Sequence, residues 1–171
     1  MIIIGIDPGV SGALAMMGRE GLASVEDMPA RVKGKGKGSV RQQVNGAGLA
    51  ELLRTWTSGH DRNEFFIYLE LAQAMPARSP TGKVIQGGST TFSIGHSAGV
   101  IEGVIETLRI PYEVIGAARW KNHFEIGSEK EVARATAIRL FPTAAEQLAR
   151  KKDHNRAEAM LIARYGYEIR A

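Results

Sequence analysis

The sequence predicts one mixed α/β domain, and three observations carry that prediction. Short apolar, β-branched segments separated by Gly and Pro open the chain, a continuous apolar run follows at Phe65–Leu71, and strand-like and helix-like periodicities then alternate to the end. At 171 residues the chain sits within the usual length of a single domain and can bury a core without cross-links. The chain has no cysteine, which excludes a disulfide framework and thiolate metal sites and suits a reducing, cytoplasmic setting. Its 20 glycines predict tight turns and close backbone approaches.

Ile2 to Asp7 reads as a strand, Asp7-Pro8-Gly9-Val10-Ser11-Gly12 as a turn, and Ala13 to Met17 as a second strand. A further turn at Gly18–Gly21 leads into Leu22–Met28, so the chain starts as an antiparallel meander. Between Pro29 and Ser39, Lys33, Lys35 and Lys37 alternate with Gly34, Gly36 and Gly38, a composition that buries nothing and predicts a flexible basic loop over 29–39. Val44, Leu49, Leu52, Leu53 and Trp56 fall near helical spacing and predict a helix over Val40–Trp56. Phe65–Leu71 has the pattern of a strand buried on both faces, and the sequence places it at the centre of the sheet.

A helical period over Thr90–Leu108 carries Gly95, Gly99 and Gly103 at every fourth position. Such a stripe admits a close neighbour, either a second copy in a homodimer or the domain's own sheet. A strand at Pro111–Ile115, a helix at Glu129–Phe141 ended by Pro142, and a last helix at Asn155–Tyr165 stopped by Gly166 complete the expected elements. No run of 18 apolar residues and no basic leader is present, which argues against a membrane span or a signal peptide.

Four acids stand where sheet enzymes place reactive groups: Asp7 and Glu70 at strand ends, Asp153 and Glu158 around the start of the last helix. Any one of them alone reads as a cap or a turn residue. Together they make a carboxylate set, and Glu70 within Tyr68-Leu69-Glu70 requires a partner or a cation because its neighbours are apolar. His60, His96, His123 and His154 are scattered, so oxygen ligands dominate and favour Mg²⁺, with Mn²⁺ able to substitute. Two such ions suit phosphodiester hydrolysis.

The formal charge is +4, from 22 Lys and Arg against 18 Asp and Glu. The basic residues group at Arg31-Lys33-Lys35-Lys37-Arg41, at Arg78 and Lys83, at Arg119 and Lys121, and at Arg150-Lys151-Lys152. Isolated lysines decorate any soluble surface, but lysines spaced by glycine suit a phosphate backbone read without sequence preference.

Ile4-Gly5-Ile6-Asp7-Pro8-Gly9-Val10-Ser11-Gly12, Tyr68-Leu69-Glu70 and Arg156-Ala157-Glu158-Ala159-Met160-Leu161-Ile162-Ala163 resemble, in order, the three acidic motifs of RuvC-type Holliday junction resolvases. Trp120-Lys121 and Ile126-Gly127-Ser128-Glu129-Lys130-Glu131-Val132 resemble the family's basic stretch before a helix. The resemblance spans nearly the whole chain. It implies a ribonuclease H-like mixed sheet with flanking helices, a magnesium-dependent homodimer, and paired symmetric nicks in a four-way DNA junction that leave 5′-phosphate ends.

By the same resemblance Asp7, Glu70, Asp153 and Glu158 are the catalytic metal ligands of a two-ion site, and Lys121 and Lys130 lie near the scissile phosphate. Lys33, Lys35, Lys37, Arg78 and Lys83 are the further DNA-binding candidates. Many bacterial members carry Asp-x-x-Asp in the last motif, whereas Asn155 and Glu158 stand here with Asp153 two residues earlier. The fourth ligand is therefore Asp153 or its rival His154. The preference of Mg²⁺ for oxygen favours Asp153 and leaves His154 and Asn155 as outer-shell groups.

The family's junction-wedging aromatic, three positions after the second acid, is matched by Gln73, with Met75 as a substitute. These departures resemble divergent phage or prophage members acting in the bacterial or phage-infected cytoplasm. The first motif also occurs in actin-like ATPases, but those need a second phosphate-binding domain for which the chain has no room. A junction-binding module without catalysis is the competing functional class.

Overall fold

The computed structural model describes residues 1–36, 39–73 and 88–170. β1 (Ile2–Asp7), β2 (Ala13–Gly18) and β3 (Gly21–Asp27) form the expected meander, and β6 (Phe65–Glu70) and β7 (Tyr112–Ile115) join it in a five-stranded sheet of order β3-β2-β1-β6-β7. β1 pairs antiparallel with β2 and parallel with β6, which in turn pairs parallel with β7. The centre of the sheet is therefore β1 rather than the Phe65 strand, which lies one place nearer the edge.

The basic stretch is a strand where the lysine–glycine alternation predicts a loop. β4 (Ala30–Gly36) pairs antiparallel with β5 (Ser39–Val44) as a separate two-stranded ribbon. Because Val40–Val44 belongs to that ribbon, the first helix begins later than its apolar spacing predicts: α1 spans Gly46–Thr57, and the Asn45 side chain caps it by accepting from the Gly48 amide.

α2 (Gly88–Leu108), α3 (Ala117–His123), α4 (Lys130–Leu140) and α5 (His154–Arg170) complete the helices. α3 has no counterpart among the elements expected from sequence. Short 3₁₀ turns at Pro142–Leu148 and Lys151–Asp153 connect α4 to α5.

Side chains alternate along β1 and divide the core into two layers. Ile4 and Ile6 belong to a buried cluster with Leu49 and Leu53 of α1 and Ile101 and Ile105 of α2, whereas Ile3 belongs to the opposite cluster with Ala159, Leu161 and Ala163 of α5. α5 lies almost on the backbone of β1. A Cβ on Gly5 would stand 2.3 Å from the Ala163 nitrogen and 2.4 Å from the Ala159 oxygen.

Gly166 does not stop α5. The helix runs through it to Arg170, because a Cβ there would lie 2.2 Å from the Tyr68 ring, so glycine is required by packing. Arg170 secures the final turn by donating from Nε to the Tyr68 hydroxyl at 2.8 Å while its guanidinium lies over Phe66. Among the described residues, no helix is long and apolar enough to cross a membrane.

Candidate active site

The parallel register sets two of the acids side by side. Ile6 pairs with Leu69, and the next residue on each strand is an acid, Asp7 on β1 and Glu70 on β6. α5 runs back across the sheet from this same end, and the close approach at Gly5 brings Glu158, in the second turn of α5, towards Asp7. Glu158 is only 8% exposed.

Burial pushes the Asp7 carboxyl well above the usual aspartate range, and the charges of Glu158 and Glu70 push it further. Lys130 and Lys121 pull it back, and no hydrogen bond contributes. Glu70 is also raised, first by burial. The Trp120 indole, which donates from Nε1 to Glu70 Oε2 at 2.7 Å, opposes that rise. Lys121 Nζ lies 3.4 Å from Glu158 Oε1. Lys130 Nζ lies 2.8 Å from His154 Nε2, and since a lysine donates, the imidazole accepts there and turns its Nδ1 to the Lys151 carbonyl at 3.1 Å.

Asp7, Glu70, Glu158, Lys121 and Lys130 are thus brought together as expected, but Asp153 is not. Its carboxylate, 5% exposed, is taken by Arg150: the Arg150 amide donates at 2.9 Å, Nε at 3.1 Å and Nη2 at 2.8 Å. The Arg150 side chain holds the Asp153 carboxyl below the usual aspartate range, against the opposing effect of burial. Asp153 lines a separate cavity of about 540 Å³ with Asp27 and Asn155.

Asn155 donates to the Ser11 carbonyl and so ties α5 to the β1–β2 turn rather than standing beside the acids. Of the two rivals for the fourth position, His154 is the one linked to the acidic group, through Lys130.

Asp7 and Glu70 line a cavity of about 360 Å³, together with Gln73 and with Ser93 and Ser97 of α2. Lys33 of β4 reaches over this rim: its Nζ is 5.9 Å from the ring of Phe92, which is 66% exposed and stacks on His96. Lys35 is in β4, while Lys37, Arg78, Lys83 and the substitute wedge Met75 lie outside the described residues. Gly95, Gly99 and Gly103 do not pack on the sheet: among the described residues, a Cβ on any of them would meet nothing within 4 Å.

Among the described residues, no three acidic, histidine or cysteine side chains are closed on a single metal position. The donor chemistry nevertheless fits a hard divalent cation. Three carboxylates repel one another at Asp7, and a cation beside them would relieve the repulsion that raises that carboxyl.

Two residues in this region are missed by sequence reasoning. Trp120 was legible only as a neighbour of Lys121, although a buried indole N–H always needs an acceptor. The spacing Arg150-x-x-Asp153 was a signal that the acid already had a partner across one turn.

No protein-family model and no curated protein matches the sequence. Among solved structures, Thermus thermophilus RuvC aligns over 99% of this chain and 96% of that chain at 13% identity, with a TM-score of 0.53. T. thermophilus RuvC in complex with a Holliday junction substrate aligns over the same shares at 12% identity, with a TM-score of 0.56. The fowlpox virus Holliday junction resolvase, at 13% identity over 100% of both chains, gives a TM-score of 0.48. Five strands in this order, helices on both faces and whole-chain superposition on the two T. thermophilus structures establish that the chain has the RuvC fold, the ribonuclease H-like mixed sheet that the sequence predicts.

Proposed function

We propose that the chain is a divalent-metal-dependent endonuclease that resolves four-way DNA junctions, as a homodimer making paired nicks that leave 5′-phosphate ends. The observation that carries this reading is the grouping of Asp7, Glu70 and Glu158 at one end of the sheet with two lysines beside them. The T. thermophilus protein of the same fold is solved with a Holliday junction substrate, and that substrate class is carried over here.

Asp7, Glu70 and Glu158 would hold Mg²⁺ or Mn²⁺. The ions supply an activated water and neutralise the leaving oxygen. Lys121 pairs with Glu158, and with Glu158 holding a cation its ammonium would be available to a phosphate oxygen. Lys130, kept in place by His154, offers a second cation to the DNA backbone. Lys33 on the ribbon extends the basic track past the cavity rim.

The second reading is a junction-binding module without catalysis, favoured by the pairing of Glu158 with Lys121 and by the missing preformed three-ligand set. A labelled four-way junction incubated with the protein separates the two. Symmetric nicks with Mg²⁺ or Mn²⁺ and none with a chelator are expected, whereas tight binding with no nick under either ion establishes the second reading.

A further inference from the structure

We infer that Trp120 is a positioning residue of this site: one indole orients Glu70 directly and Glu158 through Lys121, so that both acids are aimed before a cation arrives. The inference rests on the metal-dependent reading above and assigns a role to a residue outside the acid set.

Trp120 is completely buried in the cluster that includes Ile115 and Ala157, so its rotamer is fixed by packing. It sits on α3, which begins at Ala117, two residues after Ile115, and Ile115 is the register partner of Glu70. The short connection leaves the indole little freedom relative to the end of β6. Its N–H is spent on Glu70 Oε2 at 2.7 Å, which fixes the carboxylate plane and leaves Oε1 as the oxygen available for ligation.

The ring also steers Lys121, the next residue. Lys121 Nζ lies 4.9 Å from the ring centroid and 3.4 Å from Glu158 Oε1, so the indole face and the carboxylate share one ammonium. A hydrophobic residue chosen for packing alone would fill the space as well. The N–H directed at an acid, and the ammonium shared between ring and second acid, are what packing does not require. Partners that orient metal-ligating side chains in this way are worth roughly 10-fold or more in metal affinity.

The test uses the full-length, DNA-free protein and Mn²⁺ as the probe, with the dissociation constant read by calorimetry. Trp120→Phe keeps an aromatic ring and removes the N–H; it is expected to weaken Mn²⁺ binding about 10-fold while circular dichroism remains that of the folded protein. Glu70→Gln removes the acid that the N–H holds. The double variant Trp120→Phe/Glu70→Gln is expected to bind Mn²⁺ no more weakly than Glu70→Gln alone, because positioning needs the acid, whereas a general packing defect would add to it.

Wild-type affinity in folded Trp120→Phe, or additive losses in the double variant, would overturn the inference while leaving the nuclease reading intact. Failure of the wild-type protein to bind Mn²⁺ would overturn both. Should Trp120→Phe not fold, Trp56→Phe leaves Trp120 as the single tryptophan of a chain that has two. Saturable quenching of its emission by Mn²⁺ then supports the inference, and unchanged emission overturns it.

Discussion

The backbone of β1 at Gly5 touches the backbone of α5 at Ala163: the missing Cβ would lie 2.3 Å from the Ala163 nitrogen and 2.9 Å from its Cα. Backbone on both sides leaves nothing able to move aside. This contact sets how deep α5 sits, and with it the distance of Glu158 from Asp7. Gly5→Ala is therefore expected to lower stability by roughly 1–3 kcal/mol, the cost of overpacking a rigid interior, measured as a shift in urea midpoint. Junction cleavage should fall as well, because Glu158 is displaced along with its helix.

Much of the fold was legible because its elements bury one face or both. The apolar runs of β1, β2 and β6 and the helical period of α2 announce themselves in the sequence. The β4–β5 ribbon does not, since its Val32 is exposed and its strands are held by backbone pairing that leaves no hydrophobic alternation. Gly166 misleads for a different reason: glycine at a helix end normally signals termination, and here it answers to the Tyr68 ring in another strand. At the site, acids closing a strand or opening a helix were visible as Asp7, Glu70 and Glu158. Asp153 had the same appearance, and only the three-dimensional structure shows that its carboxylate is paired with Arg150 rather than grouped with the other acids.

The open glycine face of α2 yields a separate expectation about assembly. Gly99 and Gly103 line a shallow cavity between α1 and α2 beside Arg54, and a Cβ added at either meets nothing within 4 Å among the described residues. Gly99→Leu/Gly103→Leu should leave the single chain no less stable than wild type, since leucine favours a helix interior over glycine by roughly 0.5–1 kcal/mol per position. If the face is the dimer contact, light scattering will move from twice the 18.5 kDa chain mass to the single mass. A variant that stays dimeric would place the contact elsewhere.

Asp7 links stability to pH in a direction opposite to that of acids paired with a cation. Its folded-state carboxyl titrates well above the ordinary aspartate range, so the folded protein binds the proton more tightly than the unfolded chain does. Stability therefore falls as pH rises from about 3.8 through that higher folded value. Asp7→Asn removes this loss and should raise neutral-pH stability by about 1 kcal/mol, or roughly 2–4 °C in melting temperature, while abolishing cleavage. Mg²⁺ should raise the melting temperature of wild type and not of Asp7→Asn. A variant no more stable than wild type at pH 7 would show that the three carboxylates do not strain the fold.

Asp153 gives the opposite sign, and the contrast tests the fourth position of the site. Its folded-state carboxyl is lowered by Arg150, so its contribution is present above the ordinary aspartate value and is lost as pH falls through the lower folded one. Asp153→Asn weakens the contacts from the Arg150 amide and guanidinium at the turn that precedes α5, and a cost of about 1–2 kcal/mol follows, reduced because Arg150 itself is half exposed. That cost should shrink as pH falls below the ordinary aspartate value towards the lower folded one, where the wild-type acid is itself becoming protonated. Cleavage should stay within about 3-fold of wild type at neutral pH, since a change under 1 kcal/mol in barrier corresponds to less than about 5-fold in rate. His154→Ala should behave in reverse. Its half-buried ring belongs to neither core cluster and carries little stability, but losing it releases Lys130 from the 2.8 Å contact that holds the ammonium near the acids, so the cleavage rate should fall about 10-fold or more with melting nearly unchanged. Single-turnover rates with saturating junction measure both, and an Asp153→Asn protein that folds but no longer cleaves would return that acid to the metal site.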